Sequence, residues 1–335
     1  MTHHTTSLNS PAYMTVSPIN IDGQPGQRLM TVYRTVGCEY DKKGKGCTMC
    51  DFASYASPDV QERNIEAQHR QSLESLRNMQ FIHFDLLTLG NFYNDREVSP
   101  NLRKSLLKSV GEVPGVKRVL TEARRQYVTT EKLREARSYL GKNQTLEYAL
   151  GYETLNPDLR NRVLRKGTPE QHLDDALEIC REANVGFVSY VLIKPQTLNE
   201  AEGIEEAVNT AMHVFTKAVI HGVNARIAFE PLFVTKGKKI EKLWEKGEYQ
   251  PPKLWSVAEV LIQTAERLGM ENTRGKLFVG LSDENLSGGR MASNCGSCDG
   301  EVRGEIQAFN GHQEVYRLRQ LYHECKEEWV RDTMA

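Results

Sequence analysis

The sequence lacks any apolar run that approaches the roughly 20 residues needed to cross a bilayer. Residues 1–26, rich in Thr, Ser, Asn and Pro, also lack the apolar core of a signal peptide, and we expect a loose leader with at most one short strand there. The formal net charge of only −1 gives no global attraction to nucleic acid or membranes, so that only a local basic patch remains open. Seven cysteines, an odd number, indicate a reducing cytoplasm rather than a disulfide framework.

The composition is typical of a globular protein with a sizeable core, since 39% of the 335 residues are hydrophobic and 26% are charged. From residue 28 onward, short apolar runs alternate with longer amphipathic segments, as in repeated βα units. The predicted parallel strands are 29–35, 81–89, 116–122, 145–152, 186–193 and 223–230. We therefore predict an α/β fold, an incomplete (β/α)6 TIM-like barrel over residues 28–235, between a leader (1–27) and a small C-terminal extension (236–335).

Three cysteines just past the first predicted strand form the most informative motif of the chain. Eight residues separate Cys38 from Cys47, and two separate Cys47 from Cys50. Three thiolates can hold three irons of a [4Fe–4S] cluster and leave the fourth iron open to an exogenous ligand. Radical S-adenosylmethionine (SAM) enzymes use this arrangement, with SAM on the open iron. The alternative is a zinc knuckle that takes its fourth ligand from elsewhere in the chain.

The segment after the second predicted strand begins with Gly90 and Asn91. A glycine lets the backbone approach a ligand closely, and the polar groups beside it could bind an amino-acid moiety. The alternative is that Gly-Asn ends the strand because it turns well. Met49, directly before the third cysteine, would place an apolar side chain against the cluster or the adenine of SAM.

Charged side chains close the next three predicted strands. Glu122 and Arg124 close the third strand, Glu153 the fourth and Lys194 the fifth. A single charge at a strand end is as often exposed or paired with a neighbour. Because the C-terminal ends of barrel strands meet on one face, three such ends predict a polar mouth that binds a zwitterionic cofactor and a polar substrate.

A second Cys-x-x-Cys motif, Cys295 and Cys298, lies in the predicted C-terminal extension. Together with Cys325 and either His312 or His323, it could hold zinc or an auxiliary iron–sulfur cluster. The alternative is a pair of reduced thiols at a turn. The spacing favours a metal site and leaves the identity of the metal open.

Several segments resemble the radical SAM superfamily. They are residues 35–38, 47–50, 90–94 and 151–156. Within the superfamily the chain looks like the branch related to the elongator radical SAM subunit, and most of all like the archaeosine synthase radical SAM subunit and its relatives. The segments that carry this closer resemblance are 165–168, 190–195, 247–256 and 294–299. The resemblance spans about residues 29–308, nearly the whole predicted fold.

The resemblance implies an enzyme that reductively cleaves SAM. An electron donor such as flavodoxin or ferredoxin reduces the cluster, and the resulting 5′-deoxyadenosyl radical abstracts hydrogen from a nucleoside-type substrate. The cofactor then carries the difficult chemistry, while the barrel orients it and excludes water. The implied SAM contacts are Met49 at the adenine, Gly90 and Asn91 at the amine, Glu122, Arg124 and Glu153 at the carboxylate and ribose, and Lys194 at either SAM or substrate.

The resemblance also implies a substrate. In archaeosine synthesis a partner attaches lysine to a nitrile-bearing deazaguanine in tRNA, and the radical SAM subunit cleaves a lysine C–N bond to leave an amidine. Two alternatives stay open from the sequence. One is a radical SAM enzyme for a small metabolite, such as a nucleoside in natural-product biosynthesis. The other is a zinc-stabilised binding protein in which both cysteine motifs are structural.

Overall fold

The computed structural model describes residues 7–78 and 80–333, which form an eight-stranded sheet with the strands neighbouring one another in chain order. β1 (Tyr13–Ile21) and β2 (Gln24–Tyr33) form an antiparallel hairpin, and each later strand pairs in parallel with the one before it. The later strands are β3 (Phe81–Thr88), β4 (Arg118–Glu122), β5 (Thr145–Glu153), β6 (Gly186–Ile193), β7 (Ala225–Pro231) and β8 (Leu277–Val279).

Helices cover the outside of the sheet. They are α1 (Glu62–Asn78), α2 (Pro100–Gly111), α3 (Thr130–Ser138), α4 (Gln171–Ala183), α5 (Glu200–His221), α6 (Lys239–Glu245), α7 (Leu254–Arg267), α8 (Asp299–His312), α9 (Val315–Arg319) and α10 (Glu324–Thr333). Local sequence explains their starts, since Ser99 and Thr129 cap α2 and α3, and Asn199 forms a capping box with Glu202 at α5. Among the described residues, no helix has the length and apolar character to span a membrane.

The predicted α/β barrel is confirmed, but the sheet has eight strands rather than the predicted six. β1 lies within the predicted leader, where we expected at most a short strand, and β8 lies within the predicted extension. The division into leader, barrel and extension itself stays a prediction. The first six residues of the leader, the last two of the extension and Met79 lie outside the described residues.

Helix α8 packs across the opening between the first and last strands. The side-chain amide of Asn310 donates to the carbonyl of Val279 and its oxygen accepts from the Val279 N–H, both at 2.9 Å. The amide of Asn20, at the other edge of the sheet, donates to the carbonyl of Gly311 at 2.8 Å. Polar groups of two edge strands are therefore satisfied by one helix.

The interior of the barrel away from its mouth is filled by paired charges. Arg28 donates to Asp85 at 2.7 Å, and Arg226 donates to Glu147 at 2.8 Å. Burial alone would raise the pKa of Asp85, but the Arg28 guanidinium and the neighbouring His83 imidazole outweigh it and hold that pKa below its usual range. Because these charges neutralise one another, the side chains free to meet a ligand lie nearer the C-terminal ends of the strands.

Candidate active site

The three N-terminal cysteines lie on one loop that begins where β2 ends. Two neighbouring loops hold this cysteine loop (residues 38–50) in place. The Thr48 N–H donates to the carbonyl of Leu164 at 3.0 Å, and the Thr235 hydroxyl donates to the carbonyl of Met49 at 2.7 Å. Since Leu164 follows β5 and Thr235 follows β7, the loop lies at the C-terminal mouth of the barrel.

The thiols of the cysteine loop are close enough to affect one another. The pKa of Cys50 is raised to about 12. Burial is the largest cause, Cys47 and Cys38 add to it, and the cation of Lys166 opposes it. Among the described residues, one group of three or more His, Cys, Asp or Glu side chains has all its ligand atoms within 4.8 Å of one another. That group does not include these three cysteines. At least two of their three sulfurs therefore lie more than 4.8 Å apart. Three thiolates are the donor set that a [4Fe–4S] cluster takes when its fourth iron stays open to another ligand.

The structure brings Gly90 and Asn91 against the first cysteine. A Cβ on Gly90 would lie 2.0 Å from Glu97 Oε2 and 2.9 Å from Cys38 Cα, so this close approach requires glycine. The Asn91 amide donates to Glu97 at 3.0 Å and lies 3.7 Å from Cys38 Sγ, while its oxygen accepts from the Arg124 N–H at 2.8 Å. Asn91 thus connects the cysteine loop to the end of β4.

Glu97 is a site residue that the sequence did not indicate. It is buried, and it accepts from the side-chain amides of Asn91 and Asn94 at 3.0 and 2.9 Å and from the Glu39 N–H at 3.2 Å. Its carboxylate satisfies donors from the cysteine loop and from the loop after β3 at once. No local pattern marks a residue whose partners come from two separate loops.

The carboxyl groups of Glu122 and Glu153 end neighbouring strands as predicted, but their surroundings differ. Glu153 is paired with the Nζ of Lys166 at 2.6 Å. Burial raises the pKa of Glu122 to about 7, with Lys166 opposing and Glu153 adding to the shift. The charges of Glu153 and Cys47 hold the pKa of Lys166 above its usual value despite burial. Lys166 therefore links the carboxylates of the mouth to the cysteines.

Two further carboxyl groups face the same space. Burial, then the neighbouring Glu284, raise the pKa of Glu230 to about 8, with Arg28 opposing. Burial and Asp283 raise the pKa of Glu284 to about 8 as well. Glu230 is the last residue but one of β7, so the strand-end pattern could have identified it. At neutral pH such groups can donate a proton, or ionise to bind a cation.

The guanidinium of Arg124 contacts other residues of the protein rather than open space. It donates to the carbonyl of Lys166 at 2.6 Å and stacks over the ring of Tyr40, 3.9 Å from the centroid. Tyr40 lies on the cysteine loop and Lys166 on the loop after β5. Arg124 consequently holds these two loops together beside the mouth.

Lys194 and Met49 lie in a different part of the mouth. The ammonium of Lys194 forms a buried ion pair with Glu200, the first residue of α5, and lies 5.8 Å from the ring of Tyr249. Met49 packs against the apolar cluster that includes Leu164, Leu192, Leu232 and Tyr249. The charge of Lys194 is thereby compensated by Glu200.

Comparison with known proteins shows relatives along most of the chain. Archaeosine synthase subunit beta of Methanosarcina acetivorans is 30% identical over 96% of this chain and 89% of its own length. The protein of that name from Thermococcus kodakarensis is 28% identical over 92% of this chain and 93% of its own length. An uncharacterised protein of Methanocaldococcus jannaschii is 30% identical over 91% of this chain and 81% of its own length. No family model matches the chain.

Solved structures share the fold. Elp3 of the archaeon Methanocaldococcus infernus superposes with a TM-score of 0.51 at 12% identity, over 73% of this chain and 59% of that protein. Methylornithine synthase (PylB) superposes with a TM-score of 0.50 at 13% identity, over 90% of this chain and 85% of that protein. At these identities the likeness supports the fold alone.

A barrel of this topology with three cysteines on the loop after its first parallel strand defines a radical SAM enzyme, the class whose cofactors are a [4Fe–4S] cluster and SAM. The enzyme class predicted from the cysteine spacing is therefore confirmed. Within that class, the chain belongs to the archaeosine synthase subunit beta family.

Proposed function

We propose that this protein cleaves a C–N bond of a lysine adduct on a deazaguanine of tRNA, in the manner implied for archaeosine synthase subunits. Cys38, Cys47 and Cys50 would hold the cluster, whose chemistry, once SAM is bound, is the one-electron cleavage of SAM and hydrogen abstraction from the substrate. The electron would come from a cytoplasmic donor such as flavodoxin or ferredoxin.

The mouth residues divide into SAM contacts and positioning residues. Gly90 and Asn91 lie against Cys38 and are our candidates for the SAM amine. Glu122 has no ion-pair partner among the described residues, which leaves its carboxyl available to the ribose or amine. The protein partners of Arg124 and Glu153 make them positioning residues for the loop after β5.

A group of exposed cations on the cysteine loop and on two neighbouring segments supports the proposal of an RNA substrate. We call it the basic rim, and its members are Lys42, Lys45, Arg165, Lys236 and Lys239. Within the described residues, none of the five has an ion-pair partner within 4.0 Å. Three loops supply them, and hydrogen bonds from Tyr40 to the Arg165 carbonyl and from Thr235 to the Met49 carbonyl join these loops.

The basic rim is a local basic patch of the kind that a net charge of −1 does not exclude. Exposed lysines and arginines without acidic partners attract the phosphates of a nucleic-acid backbone. Because the rim lies on segments that follow β2, β5 and β7 at the mouth, bound tRNA would present a nucleotide to the reactive centre. The half-buried carboxyls of Glu230 and Glu284 suit the other half of this substrate, since the lysine moiety carries an ammonium group.

The test compares substrates and rim variants in an anaerobic assay of the cluster-loaded enzyme with SAM and a reductant. We expect tRNA that carries the lysine adduct to be cleaved far more efficiently than the free nucleoside adduct. In Lys42→Glu/Lys45→Glu, tRNA binding should weaken, and the slope of log Kd against log salt should fall by about one for each phosphate that the variant no longer neutralises. SAM cleavage without tRNA should be unchanged.

Lys142→Glu is the matched control, because Lys142 is exposed in the turn before β5, at the opposite end of the barrel. It should bind tRNA as the unmodified protein does. Equal turnover of the free nucleoside adduct, or equal weakening by Lys142→Glu, would count against an RNA substrate. The first result would instead favour radical chemistry on a small metabolite.

A further inference from the structure

Four potential metal ligands from the C-terminal part of the chain converge at one point. They are the thiols of Cys295, Cys298 and Cys325 and the imidazole of His323, whose ligand atoms all lie within 4.8 Å of one another. The sequence left the histidine undecided between two residues. The structure selects His323, because His312 is paired with Glu305 at 3.0 Å.

The distances within this set match one tetrahedral ion. Zinc binds thiolates at about 2.3 Å and imidazole at about 2.0 Å, which places tetrahedral ligands about 3.8 Å apart for two sulfurs and about 3.6 Å apart for sulfur and nitrogen. The sulfurs of Cys295 and Cys298 are 3.6 Å apart, and those of Cys298 and Cys325 are 3.7 Å apart. Cys295 Sγ lies 3.8 Å from His323 Nδ1. An iron–sulfur cluster needs each ligand on its own iron, and hence a wider set.

The surroundings of the four ligands are those of a built site. The Trp255 indole N–H donates to Cys325 Sγ at 3.3 Å, and the Asn294 amide donates to Cys298 Sγ at 3.4 Å. The Asp299 carboxylate accepts from the N–H groups of Asn294 and Gly296 at 2.9 and 3.1 Å. Donors aimed at thiolate sulfurs and a loop held by its own hydrogen bonds are typical of zinc sites, in which outer contacts orient the ligands.

We propose that Cys295, Cys298, His323 and Cys325 bind one structural zinc ion. On binding, the thiols lose their protons to solvent and the ion takes four protein ligands, so the site is closed to substrate. Cys298 directly precedes α8, while His323 and Cys325 lie at the start of α10. The ion therefore joins α10 to α8, the helix that packs across the opening of the sheet.

The same site supports the wall of the barrel. Trp255 lies in the first turn of α7, and the Trp329 indole of α10 donates to the Ser256 hydroxyl at 2.9 Å. Ser256 in turn donates to Glu200, the partner of Lys194. Loss of the ion should loosen α10 first, because a ligand that binds only the folded state stabilises it.

The test is the zinc content of the full chain, purified under reducing conditions and measured by inductively coupled plasma mass spectrometry. We expect one zinc per chain, with X-ray absorption giving about three sulfurs at 2.3 Å and one nitrogen at 2.0–2.1 Å. Cys295→Ser/His323→Ala should lose the zinc and unfold at a lower temperature. Cys295 is exposed, so this variant removes ligands without opening the core.

His312→Ala is the matched control and should keep its zinc. Cys298→Ala, loaded with iron and sulfide, should still release 5′-deoxyadenosine from SAM, which separates this site from the reactive cluster. Full zinc content in Cys295→Ser/His323→Ala would overturn the proposal. Iron in place of zinc, a Cys295–Cys298 disulfide, or absence of metal from the unmodified protein would overturn it too.

Discussion

Single charged side chains at the barrel mouth differ in what surrounds them, and this decides which can meet a ligand. Glu153 is paired with Lys166, and Lys194 with Glu200, so both charges are already compensated. Glu122 is half-buried without such a partner, and the loss of solvent around its carboxyl raises its pKa to about 7. The sequence placed all three correctly at strand ends. It could not show their partners, which come from other loops.

Replacing any one of Cys38, Cys47 or Cys50 by alanine should abolish SAM cleavage, because two thiolates leave a second iron of the cluster without a protein ligand. The measurement is 5′-deoxyadenosine released anaerobically after addition of SAM and dithionite. Cys180→Ala is the control, since Cys180 is buried in α4 among apolar side chains. Activity retained in any one of the three variants would break the ligand assignment.

At the scale of elements, the strands that the sequence missed are the two at the edges of the sheet. β1 contains Pro18, which argues against a central strand but is tolerated at an edge. β8 has only three residues, too few for a periodic pattern. The four central strands β3 to β6 were predicted within two residues because each contains apolar residues and is buried along most of its length.

The loop after β3 should tolerate no side chain at Gly90, its second residue. In Gly90→Ala the new methyl group would meet Glu97 and the backbone of Cys38, and we expect overpacking to destabilise the protein by about 1–3 kcal/mol. Urea unfolding measures the change, and iron content after reconstitution measures its effect on the cysteine loop.

Gly304→Ala is the control for this substitution. Gly304 lies inside α8 with no atom within 4 Å of an added Cβ, so alanine there should stabilise the helix by up to about 1 kcal/mol. If Gly90→Ala and Gly304→Ala unfold alike, the close approach to Cys38 is unimportant.

At the scale of the whole molecule, closing the sheet brings carboxyl groups from separate strands and loops into one enclosed space. The pKa values of Glu230 and Glu284 are both raised to about 8. At these two positions the folded state therefore keeps protons that the unfolded chain has lost between about pH 5 and pH 8. We expect the two carboxyls to lower the free energy of unfolding of the cluster-free protein as pH rises through this window, against the opposite contribution below about pH 6.5 of His69, whose burial lowers its pKa to about 4.

Glu230→Gln should flatten that dependence, because the amide cannot ionise. Urea unfolding at several pH values between about 5 and 9 measures it. Glu112→Gln, which changes an exposed carboxyl at the end of α2, should leave the slope as it is. The same pH dependence in Glu230→Gln as in the unmodified protein would contradict the raised pKa of Glu230.

The sequence by itself determined the enzyme class and the central strands, and it indicated the three cysteines of the proposed zinc site. These features are encoded locally, in cysteine spacing and in apolar periodicity. Only the tertiary structure decided that His323 rather than His312 joins the cysteines, and that Lys166 lies beside the reactive loop. It also decided that five cations form a rim in a chain of net charge −1. Each of these depends on loops more than 20 residues apart meeting as the sheet closes, which no local pattern records.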